Sequence, residues 1–313
     1  METARDLDIP RSQAGSSPQH LLATVLGEYF PSEVSLPSSA IVAMLAEFGI
    51  SESSARTALS RLIRRGLIAG SRAGRQTSYQ LTPQARARHR ARMHHFLTFG
   101  AQARPWTGDW TVVSFSLPEG LQAQRHGLRR VLTQLGFVRL YDSVWIKPGE
   151  DTAAVSTSVR NALDDLREAR WTVMEARFPD GGGPHGPADA FDLTALGARY
   201  EEFIRRFRPE AARARAGRIT SSEALVARTE LMDAWRNFAD DDPDLPSHML
   251  PANWPRPDAR DLFLDLHRRL GPLAEERLRA LFTQHAPEAA ALVTHFVTAP
   301  PEGHDHHGGA GTA

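Results

Sequence analysis

The spacing of apolar residues changes along this 313-residue chain, and the change constrains the fold more than any other feature. From residue 18 to 65 the apolar positions recur at helical spacing, and a short strand-like segment follows. From "GDWTVVSFSLPE" onward strands and helices alternate, and residues 190–298 return to helical spacing. A chain of this length is also too long for one compact core. The pattern therefore predicts several domains, with an α+β fold class overall.

The N-terminal region predicts three helices followed by a two-stranded ribbon. The helices are "PQHLLATVLGEYF", "SAIVAMLAEFG" and a third helix from about Glu52 to Arg65. Leu67 and Ile68 open the ribbon, and Ala73-Gly74 supply its turn. This order of elements is that of a winged helix-turn-helix domain, whose third helix enters the major groove of DNA. The apolar face expected for the third helix consists of Ala55, Ala58, Leu59, Leu62 and Ile63.

The distribution of charge points to the same partner. From Ser53 to Gly108 there is no Asp or Glu, while eleven Arg fall in that window of a chain with zero formal net charge. Such asymmetry favours a polyanionic partner, because Arg can pair bidentately with guanine, and Ser and Thr can contact phosphates or base edges. A merely solvated helix face is the alternative, which the adjoining turn and ribbon disfavour. The predicted DNA-binding residues are Ser53, Arg56, Thr57, Ser60, Arg61 and Arg64 on the third helix, and Arg72, Arg75 and Thr77 on the ribbon.

The helix expected after the ribbon, "PQARARHRARMHHFLTFG", carries arginines at a spacing of two residues. This spacing spreads them around the helix, which predicts a connecting helix with auxiliary phosphate contacts.

The middle of the chain predicts the order β-α-β-β-α-β, which is the ferredoxin-like arrangement. Some domains of this fold are metal-dependent nucleases that require an Asp at the end of the first strand. Ser114, Phe115 and Ser116 hold that place here, and Asp109 lies at the start of the strand. We therefore expect a dimerisation or scaffold domain rather than a nuclease. The segment "PDGGGPHGP" reads as a linker.

Several classes of chemistry are excluded or disfavoured by composition. The absence of Cys excludes disulfides, thiolate metal sites and cysteine nucleophiles. No nucleophile elbow, glycine-rich phosphate loop or metal-binding cluster is present, so we expect neither an enzyme nor a cofactor. No apolar run is long enough to cross a membrane, and the first residues lack the apolar stretch of a secretion signal. These features predict a cytoplasmic protein.

The motifs taken together resemble the PaaX family, repressors of phenylacetate-degradation operons and their relatives. The matching stretches are "SARTALSRLIRRGLI", "GFVRLYDSVWIKP", "ALVARTELMDAWRNF" and "DPDLPSHMLPANWP". The resemblance spans about residues 18–285 and implies a homodimeric repressor whose operator binding is released by an aryl-acetyl-CoA effector. By the same resemblance Arg56, Thr57, Ser60, Arg61 and Arg64 match the recognition helix, and Arg75 matches the wing.

No motif marks the effector site, so its residues are predicted from chemistry. A CoA ester needs Arg partners for its phosphates and an apolar slot for its acyl group. The residues that offer both close together are Arg228, Trp235, Arg236 and Trp254. The alternative to an effector site is that both tryptophans belong to the hydrophobic core and both arginines lie on the surface. A related regulator with a different effector, an enzyme acting on CoA thioesters and an architectural DNA-binding protein also remain open.

The expected organisation has five segments. They are an N-terminal tail (1–17), a winged helix-turn-helix domain with its connecting helix (18–104), a ferredoxin-like domain with its linker (105–188), an all-helical C-terminal domain (189–298) and a His-rich tail (299–313).

Overall fold

The computed structural model describes residues 17–30, 33–74, 76–101, 108–149, 152–163, 166, 168–178 and 186–296, and these residues group into two compact units. The first unit holds the described residues of 17–97, 209–233 and 263–296. The second unit holds those of 98–208 and 234–262. The first unit thus combines the N-terminal helices with parts of the C-terminal helices, a long-range association that apolar spacing does not predict. The His-rich tail and Arg75 lie outside the described residues.

The N-terminal part of the first unit contains four helices and a small antiparallel sheet of strand order β1-β3-β2. Its elements are α1 (Pro18–Tyr29), β1 (Leu36–Pro37), α2 (Ser38–Ala46), α3 (Glu52–Arg64), β2 (Ile68–Ala73), β3 (Gln76–Leu81) and α4 (Pro83–Thr98). Strands β2 and β3 form the predicted ribbon, with Ile68 opposite Leu81 and Ala73 opposite Gln76. Strand β1 was not predicted, because two residues that include a proline show no alternation.

Helix α1 is the core helix of the first unit. It begins after Ser17, whose hydroxyl accepts a hydrogen bond from the backbone N–H of His20, and Pro18 occupies its first turn. All residues from His20 to Tyr29 are buried, including the carboxylate of Glu28. A helix buried on every face packs against neighbours all round, and the C-terminal helices supply part of that packing.

The described residues after 190 are mainly helical, which agrees with the helical spacing of residues 190–298. The helices are α7 (Leu193–Arg215), α8 (Ser221–Asp241), α9 (Arg256–His285) and α10 (Pro287–Ala290). Within the first unit, the rings of Phe30 and Phe282 meet edge to face with their centroids 5.2 Å apart. The carboxylate of Glu47, just after α2, accepts hydrogen bonds from Arg277 of α9 and from the Ser222 hydroxyl of α8.

The second unit is built on a four-stranded antiparallel sheet of order β5-β6-β4-β7. The element order agrees with the predicted β-α-β-β-α-β: β4 (Asp109–Ser116), α5 (Gln122–Gln134), β5 (Val138–Tyr141), β6 (Val144–Pro148), α6 (Thr152–Leu163) and β7 (Arg170–Arg177). Alternate residues of β4 serve two cores. Val113 and Phe115 pack with residues of α5 and α6, whereas Trp110 and Val112 pack with Phe191 and other residues outside the sheet.

Candidate nucleic-acid interface

Helix α3 presents one buried face and one exposed face. Ser51 caps it by accepting a hydrogen bond from the backbone N–H of Ser54, and Gly66 follows its end with a φ of 66° that favours glycine. Ile63 was expected on the apolar face, but 42% of its surface is exposed. Its position is at the edge of the face, beside Gly70 of β2. The buried residues of the helix are Ala55, Ala58, Leu59 and Leu62.

The predicted hydroxyl residues of α3 lie together on the exposed face. Thr57 donates to the carbonyl of Ser53 at 2.9 Å, and Ser60 donates to the carbonyl of Arg56 at 3.1 Å. Ser53 shares a hydrogen bond with Ser51 at the start of the helix. Because the backbone carbonyls already take the protons of Thr57 and Ser60, their oxygens face outward as acceptors. Thus α3 offers short side chains that allow a groove to approach closely.

The arginines of α3 fall into two groups. Arg61 and Arg64 are exposed, and neither makes an ion pair with any described residue. Arg56 is also exposed, but Glu52 accepts hydrogen bonds from its Nε at 2.9 Å and its Nη2 at 2.6 Å. The acid-free window therefore does not leave Arg56 without an acid partner, because Glu52 lies immediately before the window and one helical turn away.

The ribbon carries further predicted contacts. Arg72 is exposed, and its Nε donates to the carbonyl of Gly74 in the turn at 3.2 Å. Gly74 has a φ of 61°, a left-handed conformation that suits glycine at the tip. Thr77 on β3 is half-buried. Within the described part of the ribbon, Arg72 therefore carries the positive charge near the turn.

Among the arginines of α4, Arg86 lies mostly buried beside Glu33, and its Nη2 donates to that carboxylate at 2.6 Å. Arg92 lies over the ring of Phe96 at 5.2 Å from its centroid. These contacts tie Arg86 and Arg92 to the protein, so we expect any part these two residues play in phosphate binding to be secondary.

Arg228, one of the residues predicted to bind an effector, lies in a fully buried cluster of the first unit. Its Nη1 is 3.0 Å from Oε1 of Glu28, and its Nη2 lies 2.9 Å from Nε2 of His267. Nη2 also donates to the carbonyl of Phe296 at 3.1 Å, and the guanidinium lies over the ring of Tyr29. A phosphate could reach this side chain only if the ion pair opened.

The cluster shifts the pKa values of its members in opposite directions. Burial alone would raise the pKa of Glu28, but Arg228 and the hydrogen bond from His267 hold it below its ordinary value. Burial and the neighbouring Arg228 lower the pKa of His267 to about 4. Burial also raises the pKa of Tyr29 above its ordinary value. At neutral pH the cluster therefore contains one anion, one cation and a neutral imidazole.

The other predicted effector residues belong to the second unit. Trp235 is fully buried among aromatic rings, with Phe99, Phe203 and Phe238 at centroid distances of 5.8, 5.7 and 5.9 Å. Arg236 is 5% exposed, so the expectation of surface arginines does not describe it. Trp254 is half-buried, near Gly197 and 6.0 Å from the ring of Tyr200.

Of the buried cluster only Arg228 was predicted as a site residue, and the ionisable partners Glu28 and His267 were not. Glu28 stands in the apolar run "HLLATVLGEYF", where a charged residue among buried neighbours signals a buried partner. The partner itself could not be found, because Arg228 lies 200 positions away and His267 carries no spacing signal.

Three further features of the described residues bear on other classes of protein. Asp109 of β4 is buried and binds the guanidinium of Arg177, so it stabilises the sheet. Among the described residues no group of three or more His, Cys, Asp or Glu is arranged to hold a metal ion. In the same part of the chain, no helix combines the length and apolarity needed to span a membrane.

Three family models match consecutive parts of the chain. The PaaX-like protein model matches residues 17–85, the PaaX protein central Cas2-like domain matches 103–185, and the PaaX-like protein C-terminal domain matches 191–280. The chain is 29% identical over 244 residues to the transcriptional repressor PaaX of Escherichia coli (strain K12). The aligned region covers 75% of this chain and 74% of that protein.

The fold is also similar to a solved structure, the uncharacterized protein Rv0674 from Mycobacterium tuberculosis. The TM-score is 0.53 at 21% identity, and the match covers 85% of this chain and 98% of the other. Because three successive family models and a named repressor agree along most of its length, the chain belongs to the PaaX family of transcriptional regulators, which are not enzymes.

Proposed function

We propose that the chain is a repressor that binds operator DNA through a winged helix-turn-helix, with α3 in the major groove. The observation that carries the proposal is the pair of exposed arginines, Arg61 and Arg64, that no described acid neutralises. An unpaired guanidinium on a helix is free to form two parallel hydrogen bonds with guanine. The outward hydroxyls of Thr57 and Ser60 add acceptors for base amino groups.

The ribbon supports this orientation. When α3 enters the major groove, a ribbon that follows it can reach the sugar-phosphate backbone or the minor groove. Arg72, at the end of the ribbon, is suited to a phosphate, as Arg75 is by its place in the sequence. Phosphate contacts fix the register of the helix, and base contacts specify the sequence.

We further propose that the protein acts as a homodimer in the cytoplasm and that the ferredoxin-like sheet of the second unit contributes to dimerisation. A two-fold dimer requires an inverted repeat in the operator, with half-sites one or more turns of DNA apart. Sedimentation at micromolar concentration and a footprint on the operator test this. A monomer protecting a single half-site would contradict it.

The proposed effector is an aryl-acetyl-CoA, and the operon is one of aromatic-acid degradation. Because Arg228 is engaged with Glu28, it is a poor candidate for binding the phosphates of CoA. The aromatic region around Trp235 and Trp254 is the candidate for binding the acyl group. Release of DNA requires that the ligand bind one conformation more tightly than the other. All six tryptophans of the sequence lie outside the N-terminal 100 residues, so their fluorescence reports on the rest of the chain.

The test is a gel shift with the DNA upstream of the protein's own gene. The wild type should retard this DNA, and Arg61→Ala and Arg64→Ala should each weaken the complex by roughly 1–3 kcal/mol. Phenylacetyl-CoA should release the DNA and change tryptophan fluorescence over the same concentration range. Retardation that survives both substitutions unchanged would refute α3 as the reading helix, and release by a different CoA thioester would assign another pathway.

A further inference from the structure

Among the α3 arginines, Arg56 is held by an acid, whereas no acid in the described part of the chain pairs with Arg61 or Arg64. A single carboxylate oxygen of Glu52 accepts from both Nε and Nη2 of Arg56. The pair is solvent-exposed, with 63% of the Arg56 side chain and 62% of the Glu52 side chain accessible. Glu52 is the first residue of α3, at the end that enters the groove most deeply in helix-turn-helix proteins.

The geometry of the pair leaves a defined edge of the guanidinium available. The group has five N–H bonds in one plane, and Glu52 uses the side formed by Nε and Nη2. The end formed by Nη1 and the outer N–H of Nη2 still carries two parallel donors. Two such donors match O6 and N7 of guanine in the major groove.

A carboxylate at this place also changes what Arg56 can bind. Its negative charge repels phosphates and partly neutralises the guanidinium, so it lowers affinity for DNA of any sequence. A base edge carries no net charge and is repelled far less. The pair therefore favours reading of a base over attachment to the backbone, unlike an arginine without an acid neighbour.

We propose that Glu52 is a positioning residue for sequence recognition, which holds Arg56 side-on so that the end of its guanidinium reads a guanine. This inference rests on the proposed function, because it requires α3 in the major groove. The competing role of Glu52 is local, since an acid in the first turn stabilises a helix through its dipole. That role does not involve Arg56, and this difference makes the two separable.

The experiment begins with selection of an operator by the wild-type protein from a pool of randomised duplexes. Affinities are then measured for every single-base variant of the selected site, with four proteins: wild type, Glu52→Ala, Arg56→Ala and the double variant. Glu33→Ala is the matched control, because it removes another exposed acid from an arginine, Arg86, outside α3. Thermal unfolding of each protein reports any loss of helix stability.

The wild type should prefer guanine at one position of each half-site by about 5- to 100-fold, and Arg56→Ala should abolish that preference. Glu52→Ala should reduce it by about two- to fivefold, the size expected for an exposed pair, while affinity for random duplex rises. In the Arg56→Ala background, Glu52→Ala should change no base preference. Glu33→Ala should keep the wild-type profile.

Two outcomes would overturn the role of Glu52 while leaving the proposed function intact. One is a wild-type base preference in Glu52→Ala, and the other is an equal effect of Glu52→Ala on base preference with and without Arg56. Arg61→Ala and Arg64→Ala are measured alongside. If Arg61→Ala and Arg64→Ala leave operator affinity unchanged, the proposed function fails and the role of Glu52 fails with it. If they weaken binding while Glu52→Ala keeps the wild-type profile, only the role of Glu52 is wrong.

Discussion

The arginines of α3 and the arginine buried against α1 show how one residue type serves opposite purposes in the same unit. Arg61 and Arg64 are exposed, with no ion-pair partner in the described part of the chain. Arg228 is fully buried and contacts Glu28, His267 and a backbone carbonyl. The free energy of a buried cation depends on its partners, whereas that of an exposed cation depends on the solvent and on what it binds. The first group should therefore affect DNA affinity, and the second should affect stability.

The largest expected effect concerns the buried cluster. Glu28→Gln or Arg228→Met should lower the free energy of unfolding by about 3–5 kcal/mol, because each leaves an uncompensated charge in the interior. The double variant should be less destabilised than the sum of the two, since it leaves no buried charge. Urea unfolding followed by circular dichroism measures all three. Costs that simply add would show that Glu28 and Arg228 do not interact as the structure indicates.

The second prediction uses His267, whose pKa in the folded protein is about 4 against an ordinary value of 6.5. Between these values the unfolded chain binds more protons than the folded protein, so stability falls as the pH is lowered. The decrease from pH 7 to pH 5 should be about 2 kcal/mol from this residue. Glu28, with a lowered pKa, contributes stability that is lost only below about pH 4.5.

The measurement for His267 is the difference in unfolding free energy between pH 7 and pH 5. His267→Gln should reduce that difference, whatever it does to stability at pH 7. His285→Gln, at an exposed histidine near the end of the same helix, serves as the control and should preserve the wild-type difference. An unchanged difference in His267→Gln would mean that the imidazole is not held neutral by burial.

The smallest effect is expected on the ribbon. Arg72→Ala should weaken binding to operator and to random duplex by the same factor, because a phosphate contact carries no sequence information. The slope of log affinity against log salt should become shallower by about 0.9. Arg170→Ala, at an exposed arginine of β7, should leave the slope unchanged. A loss confined to the operator would instead assign Arg72 to base recognition.

The comparison also shows what a single sequence can reveal. The spacing predicted the buried face of α3 correctly for Ala55, Ala58, Leu59 and Leu62 and wrongly for Ile63, because local periodicity decides which side of a helix is apolar but not where that side ends. The partner of Glu28 depends on how α8 and α9 pack, which no local pattern contains. The acid-free window missed Glu52 for a different reason: its limits follow the sequence, whereas side chains four residues apart pair across one helical turn.

In the middle of the chain, the expected role depended on the missing carboxylate at the end of β4 as much as on the order of strands and helices. The alternation of side chains along β4 was predictable from the sequence. In the structure β4 pairs with β6 and β7, and its two faces pack into two different hydrophobic cores. The partner of Asp109 was not predictable, because Arg177 is brought to it by the pairing of β4 with β7. A buried carboxylate can thus be explained only when its sheet is known.

The central claim is that Arg61 and Arg64 of α3, which no described acid neutralises, bind operator DNA, and the double variant Arg61→Ala/Arg64→Ala tests it most directly. Its operator affinity is measured across a range of salt concentrations, with Arg208→Ala, at an exposed arginine of α7, as the control. We expect a loss of roughly 1–3 kcal/mol for each arginine that reads a base, while the free energy of unfolding stays within about 0.5 kcal/mol of wild type. Operator affinity equal to that of wild type at every salt concentration would contradict the account.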